Sequence, residues 1–167
     1  GIIQAVKTCA DALRNPPIGN FGLKGIEKWA KQVLKWPTQF PGRGTVDCLT
    51  SLYTYIEIGG TGGSAFRKMY ARFLREAAAI TGRSGFGEAA AAYDVCAAGW
   101  RDIAFSALPE NVPALRRCRE LLDAGKNAGS AAAEATAVLD EIDTSGLMGN
   151  LNVKIRDLHK NESKALD

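Results

Sequence analysis

The sequence predicts an all-α protein, a single compact bundle of about six to seven helices. Three observations carry this expectation. Apolar residues recur at three- and four-residue steps through most of the 167 residues, the period of a helix with one buried face. Gly and Pro gather in short clusters between those stretches, where helices end. Apolar residues make up 46% and charged residues 23%, enough apolar surface to bury a core and too little charge to keep the chain disordered.

The first helix carries Ile2, Val6, Cys9 and Leu13 and stops before Asn15-Pro16-Pro17, because proline disfavours helical geometry in the residue before it. The second runs from about Leu23 to Trp36, with Leu23, Ile26, Ala30, Val33 and Leu34 on one side. After a loop containing Pro37, Pro41, Gly42 and Gly44, the third presents Val46, Leu49, Leu52, Tyr53 and Ile56, with Thr45 or Asp47 as its start signal. The fourth shows a wide stripe of Phe66, Met69, Tyr70, Phe73, Leu74, Ala77 and Ile80, ended by Gly82. The fifth spans about Glu88 to Leu108 and carries Tyr93, Cys96, Trp100 and Ile103.

Asn111 is positioned to cap a sixth helix, with Pro113 in its first turn, where a missing N–H costs nothing. That pattern runs on through Leu115, Leu121, Ala135, Val138 and Ile142, and "SAAAEATA" within it reads as helix. Gly125 and Gly129 interrupt it, each costing about 1 kcal/mol against alanine, so a bend or short break is expected there. Beyond Gly146, "LNVKI" alternates like a strand, although so short a run does not establish a sheet. The expected organisation is a helical domain over residues 1–146 and a polar C-terminal tail over 147–167.

The unusual feature is "YIEIGGTGGSAFRKMYARFL", residues 55–74, with four glycines in five positions between two helical patterns. Neither nucleotide motif fits. A Walker loop needs Gly-x4-Gly-Lys-[Ser/Thr], and no Lys stands in place; a dinucleotide fingerprint needs a third Gly where Ala65 lies. Successive backbone N–H groups at such glycines can form an anion nest, reinforced by the helix N-terminus near Ser64. The candidate substrate- or anion-binding residues are therefore Glu57, Gly59, Gly60, Thr61, Gly62, Gly63 and Arg67, with Glu57 and Arg67 either paired across the loop or facing a ligand together. The competing reading is a tight corner between packed helices, which two glycines suffice to make.

This loop and its flanks also carry a family resemblance. "IEIGGTGGSAFRKMYARFLREAA", preceded by "GLKGIEKWAKQV" and followed by "AAGWRDIA", resembles the C-terminal domain of butirosin-biosynthesis-protein-H-like proteins over roughly residues 5–140. The resemblance implies an upstream domain similar to cysteine peptidases. It also implies acyl transfer from an acyl carrier protein to an aminoglycoside amine, as in antibiotic biosynthesis, with the nucleophilic cysteine in the upstream domain. None of Cys9, Cys48, Cys96 and Cys118 inherits that role, and no catalytic residue is assigned here. The only histidine, His159, stands in the polar stretch "RDLHKNESK", far in sequence from every cysteine, whereas a thiolate nucleophile needs a nearby base.

Other features bound the partners. Lys24, Lys28, Lys31 and Lys35 fall on one stripe of the second helix, opposite its apolar face, and could steer an acidic acyl carrier protein; a solvated helix face is the plainer reading. Trp29, Trp36 and Trp100 fit core packing, with Trp36 the best candidate for partial exposure and a pocket wall the alternative. The cysteines read as small buried hydrophobes, and the absence of a Cys-x-x-Cys pair argues against metal. No cofactor is implied. A formal charge of +3 is too small to suggest nucleic acid, and no apolar run approaches a membrane span, so a cytoplasmic location is expected. The chain starts at Gly1 inside a helical pattern, from which we expect further sequence upstream. The function so expected is a domain that shapes or gates an upstream active site. The alternative is a non-catalytic helical interaction module or a small-molecule-binding bundle.

Overall fold

The computed structural model describes residues 1–59 and 63–167. Gly60, Thr61 and Gly62, the centre of the candidate anion nest, lie outside the described residues. Among the described residues there is no strand, and nine α-helices form the all-α fold.

Helix α1 (Ile2–Arg14) ends at Asn15, before the paired prolines. Its half-buried face, with Val6, Ala10 and Leu13, lies on the smaller of two apolar clusters. Helix α2 (Gly22–Val33) starts at Gly22 with φ +58°, where an added Cβ would stand 2.2 Å from the Leu13 carbonyl oxygen, so only glycine lets α1 and α2 approach so closely. The expected run to Trp36 stops at Val33. Trp36 instead opens a separate short α3 (Trp36–Gln39), whose first turn accommodates Pro37 because no N–H is needed there.

Helix α4 (Arg43–Tyr53) starts ahead of both expected signals. Thr45 donates its hydroxyl back to the Phe40 carbonyl at 2.7 Å, and Asp47 pairs with Arg43 at 2.8 Å, so neither caps the helix. The chain then widens into a π turn, Thr54–Ile58, which leads directly to the glycines. Single π turns inside helices recur at functional sites. Helix α5 (Ser64–Thr81) ends at Gly82 with φ +68°, the left-handed cap its glycine supplies. Of the predicted α5 stripe only Leu74 and Ala77 are buried and Tyr70 is half-buried, while Phe66, Met69, Phe73 and Ile80 are exposed; Ala71, outside that stripe, is buried in their place.

Helix α6 (Ser84–Ala107) is the central rod, packing against α5 on one side and against α9 (Thr144–Ala165) on the other. Helix α7 (Pro113–Asp123) places its proline in the first turn as expected, capped at Val112 and not at Asn111. The expected break falls at Gly125, φ +66°, before α8 (Gly129–Ala137), and a single 3-10 turn, Leu139–Glu141, follows. Together α7 and α8 cover α4. No helix among the described residues is long and apolar enough to cross a membrane.

The largest departure is at the C-terminus. Residues 147–167 are neither a polar tail nor a strand. All but Leu166 and Asp167 belong to α9, whose Met148, Leu151, Ile155 and Leu158 are buried in the main core beside Ile26, Val33 and Ile103. The alternation in "LNVKI" is incidental; the pattern that matters is 148, 151, 155, 158, 162 and 165, alternating steps of three and four along one helical stripe. Asp143 caps α9 by accepting the Gly146 N–H at 2.8 Å, and Asn152 donates to the Ala30 carbonyl on α2 at 2.6 Å. Arg14 donates to the Leu166 carbonyl, closing α1 onto the end of α9.

Candidate functional site

Where α2, α3, α4, the π turn, α6 and α9 converge, they leave a cleft of about 820 Å³. Its walls carry three tryptophans, Trp29 from α2, Trp36 from α3 and Trp100 from α6, with Phe21, Phe40 and Tyr55 at the exposed rim. Trp29 and Trp100 stack with ring centroids 5.7 Å apart and planes 18° from parallel. All three tryptophans are half-buried, so they pack against the core and line a cavity at once. An apolar, largely preformed concavity of this size is what a small-molecule site requires.

The floor is polar. Glu162, only 2% exposed, takes Arg67 Nε at 2.8 Å and Trp100 Nε1 at 2.7 Å. The Arg67 guanidinium, 18% exposed, also lies over the Trp100 ring, 5.1 Å from its centroid. A buried carboxylate is tolerated only when paired and hydrogen-bonded, and here the partners come from α5 and α6. Glu162 falls within the stretch expected to be a polar tail and is no candidate on sequence grounds. The signal was present: it is a charge inside the three–four apolar stripe of α9, where a core residue belongs.

The structure separates the two charges expected to clamp the glycine loop. Glu57 accepts the Ser64 hydroxyl at 2.8 Å and pairs with Arg101 on α6 at 3.3 Å, while Arg67 turns to Glu162. The Glu57–Arg67 pair is thus replaced by two separate pairs, because α6 and α9 offer each charge a partner of its own. Arg67 borders the cleft; the Glu57 carboxylate is engaged with Ser64 and Arg101.

The glycines differ among themselves. Gly63 has φ +129°, and a Cβ there would meet Ile56 at 3.1 Å, so it is required by the corner it makes. Gly59 has φ −138°, and among the described residues no atom lies within 4 Å of a would-be Cβ, so none of them demands glycine there. The corner reading therefore has a physical basis at Gly63.

Lys24, Lys28 and Lys31 lie on the exposed face of α2, opposite buried Ile26, Ala30 and Val33, whereas Lys35, also exposed, falls beyond the end of α2 and caps α3, so the expected four-lysine stripe is not carried by one helix. Lys28 donates to Asn20 at 3.0 Å and Lys31 to Glu27 at 2.9 Å, and that bond with its charge pulls the Glu27 carboxyl below its ordinary value. Asn20 borders the cleft, so Lys28 stands at its rim.

The cysteines only partly meet expectation. Cys96 and Cys118 are buried, Cys48 is half-buried in the cleft wall, and Cys9 is exposed, because α1 is covered on one face only. Burial, then the Asp47 charge, pushes the Cys48 thiol up, which makes it a poor nucleophile at neutral pH. Burial and then the Glu162 charge push Cys96 to about 12. His159 is half-buried on α9, not in a solvated tail.

Residues 1–135 match the family described as Domain of unknown function (DUF4872). With 135 of its 167 residues matched, the chain belongs to that family. No curated protein and no solved structure matches it. Glu162 lies beyond the matched span, whereas Arg67 and Trp100 lie within it.

Proposed function

From the resemblance of the glycine loop and its flanks, we propose that this chain is the C-terminal helical domain of an acyltransferase-type protein of secondary-metabolite biosynthesis, akin to the butirosin-biosynthesis-protein-H-like proteins. The cleft holds the apolar part of a substrate while an upstream domain supplies the nucleophilic cysteine. That cysteine takes the acyl group from a carrier thioester, releasing the carrier thiol, and passes it to an amine to form an amide. The carrying observation is the aromatic cleft, which has a cysteine in its wall that is poorly suited to attack. The exposed α5 strip of Phe66, Met69, Phe73 and Ile80 supports a covalently attached neighbour, since contiguous exposed apolar surface marks interaction sites. The lysine stripe of α2, beside the rim, supports docking of an acidic acyl carrier protein.

The test is a titration of the chain with S-octanoylpantetheine, followed by tryptophan fluorescence, with free thiol assayed in parallel. Saturable binding without thiol release is expected, and Trp36→Ala should weaken it. Absence of binding, or acyl transfer by this chain alone, overturns the proposal.

A second reading is favoured by the same cleft: an independent small-molecule-binding bundle. It predicts tight binding of a free metabolite and no effect on acyl transfer when Trp36 is replaced in the longer protein.

A further inference from the structure

Both hydrogen bonds that described residues donate to the Glu162 side chain end on one oxygen. Arg67 Nε and Trp100 Nε1 each reach Oε1, and no described residue donates to Oε2. Among the described residues, no side-chain oxygen or nitrogen sealed from solvent lacks a partner. The open space that Glu162 borders is the aromatic cleft. Arg67 borders the same space, and its two terminal nitrogens make no hydrogen bond to any described side chain or backbone group. Among the described residues, the floor of an apolar cleft therefore carries one unmet acceptor beside unmet donors, on side chains fixed by each other and by Trp100.

Aromatic walls invite a cation, but the Arg67 guanidinium already lies over Trp100 and would repel one. A carboxylate ligand would gain Arg67 and meet the Glu162 oxygen. The pair sums to no net charge, so a neutral head group loses least on leaving water. We infer that the cleft takes a neutral small molecule that joins an apolar body to a secondary amide. The amide N–H donates to Glu162 Oε2, its carbonyl accepts from a terminal Arg67 N–H, and the body lies between Trp29 and Trp36. This rests on the cleft being a ligand site, as proposed above, and adds the chemistry of what enters it.

The experiment compares four probes on the native chain by NMR titration of the tryptophan indole N–H signals: N-hexylacetamide, its N-methylated tertiary amide, heptanoate and hexylammonium. The secondary amide should bind tightest, with the tertiary amide about tenfold weaker for want of the N–H that a charged acceptor would take. In Glu162→Gln, Arg67 and Trp100 both demand the amide oxygen, so the amino group turns to the cleft. The secondary amide should then lose about tenfold, the tertiary amide should be unchanged, and heptanoate should gain. Should that variant fail to fold, the secondary-to-tertiary ratio on the native chain decides alone. Equal binding of the two amides, or tighter binding of either ion, overturns the inference and leaves the cleft a ligand site. Failure of all four probes to bind removes the cleft reading itself.

Discussion

Replacing Glu162 by Met tests whether the buried network holds α5, α6 and α9 together. Removing one partner of a buried ion pair costs about 3–5 kcal/mol when the other charge is left sealed in. Arg67 retains 18% exposure and can draw water from the cleft, so the cost sits toward the low end. The Trp100 indole N–H also loses its acceptor, and the methionine recovers part of the loss by packing. The net expectation is about 3 kcal/mol, or roughly 6–12 °C in Tm for a chain of this size. The double variant Glu162→Met with Arg67→Met should recover most of that loss, because an apolar pair of similar volume replaces a buried ion pair at little cost. Urea denaturation of native, single and double variants gives the coupling directly. A Glu162→Met protein within about 0.5 kcal/mol of native would refute the argument that these three helices depend on the carboxylate.

Four further expectations follow from other parts of the molecule. Gly63→Ala should cost about 2–3 kcal/mol, since φ +129° is strained for any side chain and Ile56 stands at 3.1 Å, whereas Gly59→Ala should be nearly neutral; urea midpoints separate them. Truncation after Gly146 should abolish cooperative unfolding in calorimetry, because four buried side chains of α9 contribute roughly 1.5–3 kcal/mol each. Tyr53, Tyr93 and Cys96 are all raised above their ordinary values of 10.0, 10.0 and 9.0, chiefly by burial. The unfolded chain therefore releases these protons first; their contribution to stability should be constant below about pH 9 and fall as pH rises beyond it, less steeply in Tyr53→Phe. Finally, Lys28→Glu with Lys31→Glu should weaken association with an acidic carrier protein, most at low salt, and unchanged affinity by calorimetry would remove the docking proposal.

Local signals were legible wherever one residue settles one backbone choice. Pro16, Gly82, Pro113 and Gly125 end or begin helices where their own geometry requires it. The fold class was legible for the same reason: three–four periodicity is a property of each segment alone. Those features the amino-acid sequence determines by itself. It also contains the stripe of α9, although a short alternating run and a polar end obscured it.

The site was a different matter. Arg67 was visible as a charge beside the glycines, but its partner lies 95 residues away on another helix. Which carboxylate pairs with which guanidinium, and which tryptophans face an open space instead of a closed core, depend on how α2, α5, α6 and α9 cross. Period and capping act within a segment, while pairing and cavities arise between segments, so only the tertiary structure decided them.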